Sequence, residues 1–198
     1  MKDVAPDLNH RIADRVRGLR AKAALSLDAL AAKSGVSRSM ISVIERGESS
    51  PTAVVLDKLA AGLGVTLPSL FDTPASPAAT GPVARRADQL QWRDPASGYV
   101  RRNVSPPGVP QPMRLVEVQF PAGGRVAFEA GPRGRRAHQQ VWVLAGTIDI
   151  TVGTVRHHLA TGDCLAMQLG QPTMFHNPTR KPVRYAVVIA SEAPARRQ

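Results

Sequence analysis

The chain has 198 residues, with 26 Lys plus Arg against 15 Asp plus Glu, a formal charge of +11 and a sequence pI of about 11.1. That length suits one large domain or two small ones, and a 43% hydrophobic content is too high for a disordered polyelectrolyte. Several classes are excluded at once: no apolar run approaches the roughly 18 residues of a membrane helix, and the lone Cys164 rules out an intrachain disulfide or a paired-thiolate zinc site. The start of the chain, Met1 to Pro6, has no secretory signal, so a soluble cytoplasmic protein without a membrane partner is expected. An aromatic content of 4% is too sparse for single-strand stacking platforms.

From the N-terminus, apolar residues recur at helical spacing: Ile12, Val16 and Leu19, then Leu27, Leu30 and Ala31, then Ile41 and Ile44, then Val55, Leu56, Leu59 and Leu63. Ser26 caps one short helix and Gly35 ends it, supplying the left-handed conformation a helix C-terminus favours. Ser37 caps the next, Arg38 to Arg46, with Val36 stapled against Ile41. Two short helices joined by a Gly-containing turn form a helix-turn-helix unit. On the second helix Ile41 and Ile44 face inward, which leaves Arg38, Ser39, Ser42 and Val43 outward. Short or donor-bearing side chains suit a helix entering the major groove, and Arg is the usual reader of guanine.

These residues carry a resemblance. The motifs Leu19-Arg20, Leu27-x-x-Leu30-Ala31, Ser34-Gly35-Val36-Ser37, Ile41-Ser42-x-Ile44-Glu45-Arg46-Gly47, Ser50-Pro51-Thr52 and Leu59-Ala60-x-x-Leu63-Gly64-Val65 make residues 9–72 similar to the Cro-repressor-like (XRE) helix-turn-helix family. The resemblance implies a five-helix, all-α domain in which Arg20 and Glu45 form a buried ion pair. It further implies base contacts from Arg38, Ser39 and Ser42 and phosphate contacts from Ser26, Ser37, Arg46 and Ser49. Ser26 and Ser37 could equally serve as helix caps alone.

Residues 73–82, rich in Pro, Ala and Ser, read as a linker, dividing an N-terminal domain over 8–72 from a second domain over 83–192. Charge does not follow DNA binding in a simple way. Residues 1–72 hold ten Lys/Arg and eight Asp/Glu, whereas residues 73–198 hold sixteen and seven. Solubility, phosphate attraction and an anionic ligand all fit that excess.

Beyond the linker the hydrophobic period becomes two. Alternation predicts strands at Tyr99 to Val104, Met113 to Phe120, Arg125 to Phe128, Gln140 to Leu144, Thr147 to Val152, Val155 to Leu159, Cys164 to Met167, Thr173 to Asn177 and Val183 to Ile189. Gly153-Thr154 fits a two-residue type II′ hairpin, and Cys164 is expected in the core. Nine short strands with tight turns mean a sandwich or jelly roll.

A second resemblance enters here. Val141-Trp142-Val143-Leu144-x-Gly146-x-Ile148-x-Ile150 and Gly162-Asp163, followed by Gly170 and Asn177-Pro178, are similar to the two motifs of the cupin family, a double-stranded β-helix. Cupin enzymes hold a metal with two His and a Glu from the first motif and a His from the second. The matching positions here fall near Arg133 and Arg135, at Gln139 and at Thr173. A guanidinium repels a cation, and amide and hydroxyl groups bind transition metals weakly, so neither metal nor cofactor is expected. By alternation His138 and His176 point away from the barrel interior. Arg125, Arg133, Arg135, Gln139 and Thr173 instead suggest a recognition cavity for a small anionic or zwitterionic effector. The expected protein is a homodimeric, non-enzymatic transcriptional regulator that binds a double-stranded DNA operator, with the barrel dimerising and sensing. The alternative is a metal-dependent cupin oxygenase or isomerase with a DNA-binding appendage.

Overall fold

The computed structural model describes residues 5–71, 81–108, 112–130, 137–168 and 170–191. Four α-helices come first: α1 (Ala5–Lys22), α2 (Leu27–Ser34), α3 (Arg38–Glu45) and α4 (Ala53–Gly62). Each of the three short helices opens on a side-chain cap: Ser26 Oγ accepts from Ala29 N, Ser37 Oγ from Met40 N and Thr52 Oγ1 from Val55 N. Gly35, at φ 68°, closes α2 in the left-handed conformation that the Ser34-Gly35-Val36 break requires. Ile12, Val16, Leu30, Ile41, Ile44, Leu56 and Leu59 close one apolar core between the helices.

The fifth α-helix implied by the family resemblance is instead a five-residue 3-10 helix, Leu67–Phe71. Both Ser69 N and Ser69 Oγ bond to Thr66 O, at 2.9 and 2.6 Å. That double contact, three residues back, tightens the turn before a four-residue repeat can start.

Ten strands follow: β1 (Gln91–Arg93), β2 (Val100–Asn103), β3 (Met113–Phe120), β4 (Arg125–Phe128), β5 (Ala137–Ala145), β6 (Thr147–Val152), β7 (Val155–Ala160), β8 (Cys164–Gln168), β9 (Thr173–His176) and β10 (Val183–Ser191). They form a six-stranded sheet, β1-β2-β3-β10-β5-β8, facing a four-stranded one, β4-β9-β6-β7, with every pairing antiparallel. Five of the eight pairings join strands that are not consecutive in the chain, as in a double-stranded β-helix. The β6–β7 hairpin turns on Gly153 at φ 60°, and Thr154 keeps a negative φ, as a type II′ turn demands.

Alternation decides the faces. Val116, Val118 and Phe120 of β3, Val141 and Val143 of β5, and Tyr185, Val187 and Ile189 of β10 all point inward. Cys164 lies opposite Trp142 on the outer face and is exposed, not in the core. Its apolar character suggested burial, but its register parity places it with Trp142.

The helices and the barrel are packed directly on one another. Of the four Phe, two Trp and two Tyr in the chain, all but Trp142 form a continuous series of ring contacts. It starts at Phe71 in the 3-10 helix, passes to Trp92 in β1 (centroids 5.5 Å apart) and Tyr99, and runs through Phe120 and Tyr185 to Phe175 and Phe128. A polar contact reinforces it. Asp94, 1% exposed in the β1–β2 turn, accepts from the first N–H of α4, Ala53 N, at 2.8 Å. Its other oxygen accepts from Ser97 N at 2.8 Å and from Ser97 Oγ at 2.5 Å. Lys58 of α4 and Glu129 beyond β4 make an ion pair at 2.9 Å. Together these contacts fasten the helical head to the barrel mouth, independently of the covalent link.

Candidate functional site

Two surfaces stand out, one on the head and one where head meets barrel. On the head, α3 buries Ile41, Ile44 and Glu45 and turns Arg38, Ser39 and Met40 outward, with Ser42 and Val43 half-buried beside them. The helix is anchored from behind. Arg20 of α1 donates Nε and Nη2 to the two oxygens of Glu45 at 2.7 and 2.8 Å, while its Nη1 donates to Leu25 O at 2.9 Å. Arg17 Nη2 donates to the backbone oxygen of Glu45. A bidentate pair with its donors engaged is the geometry in which a shielded ion pair holds orientation as well as charge.

Ser26 and Ser37 both cap helices, and Ser37 Oγ also lies 3.2 Å from Ser39 Oγ. Ser49 is half-buried in the loop after α3. The two arginines are not idle. Arg38 Nε sits 3.3 Å from Asp28 Oδ1, and Arg46 grips Glu48 through two 2.7 Å bonds while donating to Ser42 Oγ at 2.5 Å. Both pairs are solvent-exposed, where such contacts are weak and readily exchanged. Met40, 41% exposed beside Ser39, belongs to the same face and escapes a reading that looks only for polar side chains. Apolar side chains contact the thymine methyl group in the major groove.

The second surface is a cavity of about 290 Å³ inside the barrel, near the lower end of the range for small-molecule sites. Its floor and walls are Tyr99, Arg101, Phe120, Gln139, Thr173, Phe175 and Tyr185; its lid is the head, through Asp57, Ala61 and residues 64–68. Gln139 and Thr173 are both buried and line it. Arg101 lies over the Phe71 ring with Cζ 4.9 Å from the centroid. Burial, together with the charge of Glu129, raises the Asp57 carboxyl to about 6. Burial likewise pushes the Tyr99 and Tyr185 phenols well above their ordinary range, so both rings stay neutral donors.

Arg125 is not in this cavity. It is exposed on the outer face of the four-stranded sheet, opposite His176, with Nε 3.1 Å from Met174 Sδ, because its register parity opposes that of the inward Val126. Arg133 and Arg135 lie outside the described residues. His138 is exposed, and His176 shares the outer face with Asp149 and His158. Asp149, 3% exposed, takes His158 Nδ1 at 2.7 Å and an Arg156 bond; these overcome burial and hold its carboxyl below the ordinary range. The donors inside the barrel do not fit a transition metal: amide and hydroxyl stand at the ligand positions, and no group of three or more His, Cys, Asp or Glu assembles among the described residues.

Residues 16–70 match the family model described as helix-turn-helix (HTH_3). Over that stretch the chain carries a helix-turn-helix domain. Over 61 residues this chain is 43% identical to the HTH-type transcriptional regulator SutR of Escherichia coli (strain K12), a stretch covering 31% of this chain and 34% of SutR. It is 26% identical over 164 residues to the HTH-type transcriptional regulator PuuR of the same organism, covering 82% and 85% of the two chains. The crystal structure of an HTH_3 family transcriptional regulator from Vibrio cholerae superposes with a TM-score of 0.74 at 23% identity, over 94% of this chain and 98% of that one, so head and barrel share its fold. No helix among the described residues is long and apolar enough to cross a membrane.

Proposed function

We propose that the protein is a homodimeric regulator that reads a double-stranded operator with α3 and senses a small molecule in the barrel. The observation that carries the reading is the face of α3: Arg38, Ser39 and Met40 are exposed and Ser42 is half-buried, while Glu45, the last residue of the helix, is buried and clamped by Arg20. That arrangement presents reading groups on a fixed helix, which major-groove recognition requires. Arg38, Ser39 and Ser42 read bases; Ser26, Ser37, Arg46 and Ser49 meet phosphates.

A single unit of this size contacts few base pairs, so two half-sites and a symmetric dimer are needed. The outer face of the six-stranded sheet is suited to it. Trp142, Leu115 and Met113 are exposed there, with Ala186 directly opposite Trp142 and Val188 opposite Leu115. Trp142 is the one aromatic residue outside the ring series, and at 51% exposure it is available to a second copy. Gln139 and Thr173 support a binding cavity in preference to a catalytic metal centre, and we assign the protein no reaction. The domain boundaries, with the head over 8–72, the linker over 73–82 and the sensor over 83–192, belong to the same reading.

Capture of genomic fragments by the purified protein, followed by footprinting, tests it. The expected result is a pair of protected half-sites spaced by about one helical turn. Failure to enrich any sequence over random DNA at moderate salt refutes it.

A further inference from the structure

The chemistry of the cavity narrows what it can hold, on the reading that it is an effector site. Its lining is mostly apolar and aromatic, with Phe128 and Phe175 edge to face at 6.1 Å and Phe175 and Tyr185 stacked at 5.9 Å. Such surfaces accept an apolar body, and ring faces attract a cation. Two carboxylates lie at the head side, Asp57 and Glu129. Glu129 is matched by Lys58 at 2.9 Å. Asp57 has no such partner among the described residues, and its charge is felt by Tyr99 on the opposite wall. The arginines once expected to draw an anion are elsewhere or outside the described residues: Arg125 faces solvent on the outer sheet. Arg101 is the cation in the wall, and it is already seated on Phe71.

We infer that the cavity takes a small molecule bearing a cationic nitrogen on an apolar body, with the nitrogen against the Asp57 carboxylate. Asp57 belongs to α4, whose first N–H is held by Asp94 of the barrel. The bound cation therefore bridges head and barrel and fixes the head against the barrel mouth. The desolvated Asp57 carboxylate gains a counter-charge on binding, which gives the ligand differential affinity for the closed arrangement.

The test uses full-length protein titrated calorimetrically with hexylammonium, hexanoate and 1-hexanol, as wild type and as Asp57→Asn. Hexylammonium is expected to bind at least about tenfold tighter than hexanoate or hexanol, and the substitution to remove that preference. Wild-type affinity for hexylammonium is also expected to fall as the solution is acidified through about pH 6, where Asp57 takes up a proton. The cavity wall that holds Asp57 also carries Glu129, Tyr99 and Arg101, with Lys58 paired to Glu129. Hexanoate binding tighter than hexylammonium, or equal hexylammonium binding by wild type and Asp57→Asn, overturns the inference and leaves the sensing role standing. No binding of any of the three overturns both.

Discussion

Replacing Asp57 by Asn removes one negative charge from the wall between α4 and the barrel while keeping the shape of the side chain. In the folded protein burial raises this carboxyl from an ordinary 3.8 to about 6, with Glu129 adding to the effect. The folded state therefore holds the proton more tightly than the unfolded chain. The associated stability is fully present below about pH 4 and is lost as pH rises through about 6; a gap of roughly two pH units corresponds to about 3 kcal/mol. Asp57→Asn is neutral at every pH and escapes that loss. Urea unfolding of both proteins, followed by circular dichroism at about pH 4 and about pH 8, measures the difference. Near pH 4 the two are expected to match within about 1 kcal/mol, and near pH 8 the variant is expected to be more stable by about 2–3 kcal/mol. A variant that is less stable near pH 8 would mean that Asp57 is paired when ionised, and the reasoning would fail. A wild-type residue that costs stability at neutral pH is what a binding group awaiting its counter-charge looks like.

Arg38→Ala is expected to lower operator affinity by about 1–3 kcal/mol and to relax base preference, measured by fluorescence anisotropy on specific and random duplexes; equal losses on both would make Arg38 a phosphate contact. Glu48→Gln releases Arg46 from its two 2.7 Å bonds, so affinity for all DNA is expected to rise and its salt dependence to steepen by about one counterion; an unchanged slope would exclude Arg46 from the phosphate contacts. Asp94→Ala strips acceptors from Ala53 N, Ser97 N and Ser97 Oγ, and is expected to destabilise by about 1–3 kcal/mol and to speed proteolysis between head and barrel, with Asp94→Asn milder. Trp142→Lys is expected to shift the protein from dimer to monomer in sedimentation equilibrium while leaving its unfolding midpoint nearly unchanged; a dimer that persists refutes the sheet-face interface.

What could be read from the sequence was local. Ser26, Gly35 and Ser37 announce helix ends because their chemistry acts within three or four residues, and period-two runs such as Thr147 to Val152 fix a strand and its faces together. Parity also carries Gln139 and Thr173 inward and His138 outward. Most of the omissions are long-range. Strand β1 is three residues long and held by its pairing with β2 and by Trp92 packing on Phe71, neither of which leaves a periodic trace. Asp94 looks like a turn residue until Ala53, forty-one positions earlier, meets it. Asp57 reads as the polar side of α4, and only the barrel turns that side into a cavity wall. The acids opposite Arg38 and Arg46 lie within a few residues or one helix away, yet nothing in spacing alone says that those rotamers meet.

That long-range packing changes how the two halves can communicate. A Pro- and Ala-rich tether suggests a head whose position is only loosely set, which would confine an effector to altering local concentration. Phe71 against Trp92, Asp94 on Ala53 and Lys58 on Glu129 instead give the head a defined seat on the barrel. With a second copy on the Trp142 face, the distance between two α3 helices becomes a property of that seat. An operator with fixed half-site spacing then selects one seating, and a cation in the cavity selects one as well. If the two selections coincide, the ligand raises operator affinity; if they differ, it lowers it by the same coupling free energy that operator DNA imposes on ligand binding. Measuring hexylammonium affinity with and without saturating operator therefore gives the sign of regulation directly, and a ratio of one would mean that the seat does not move.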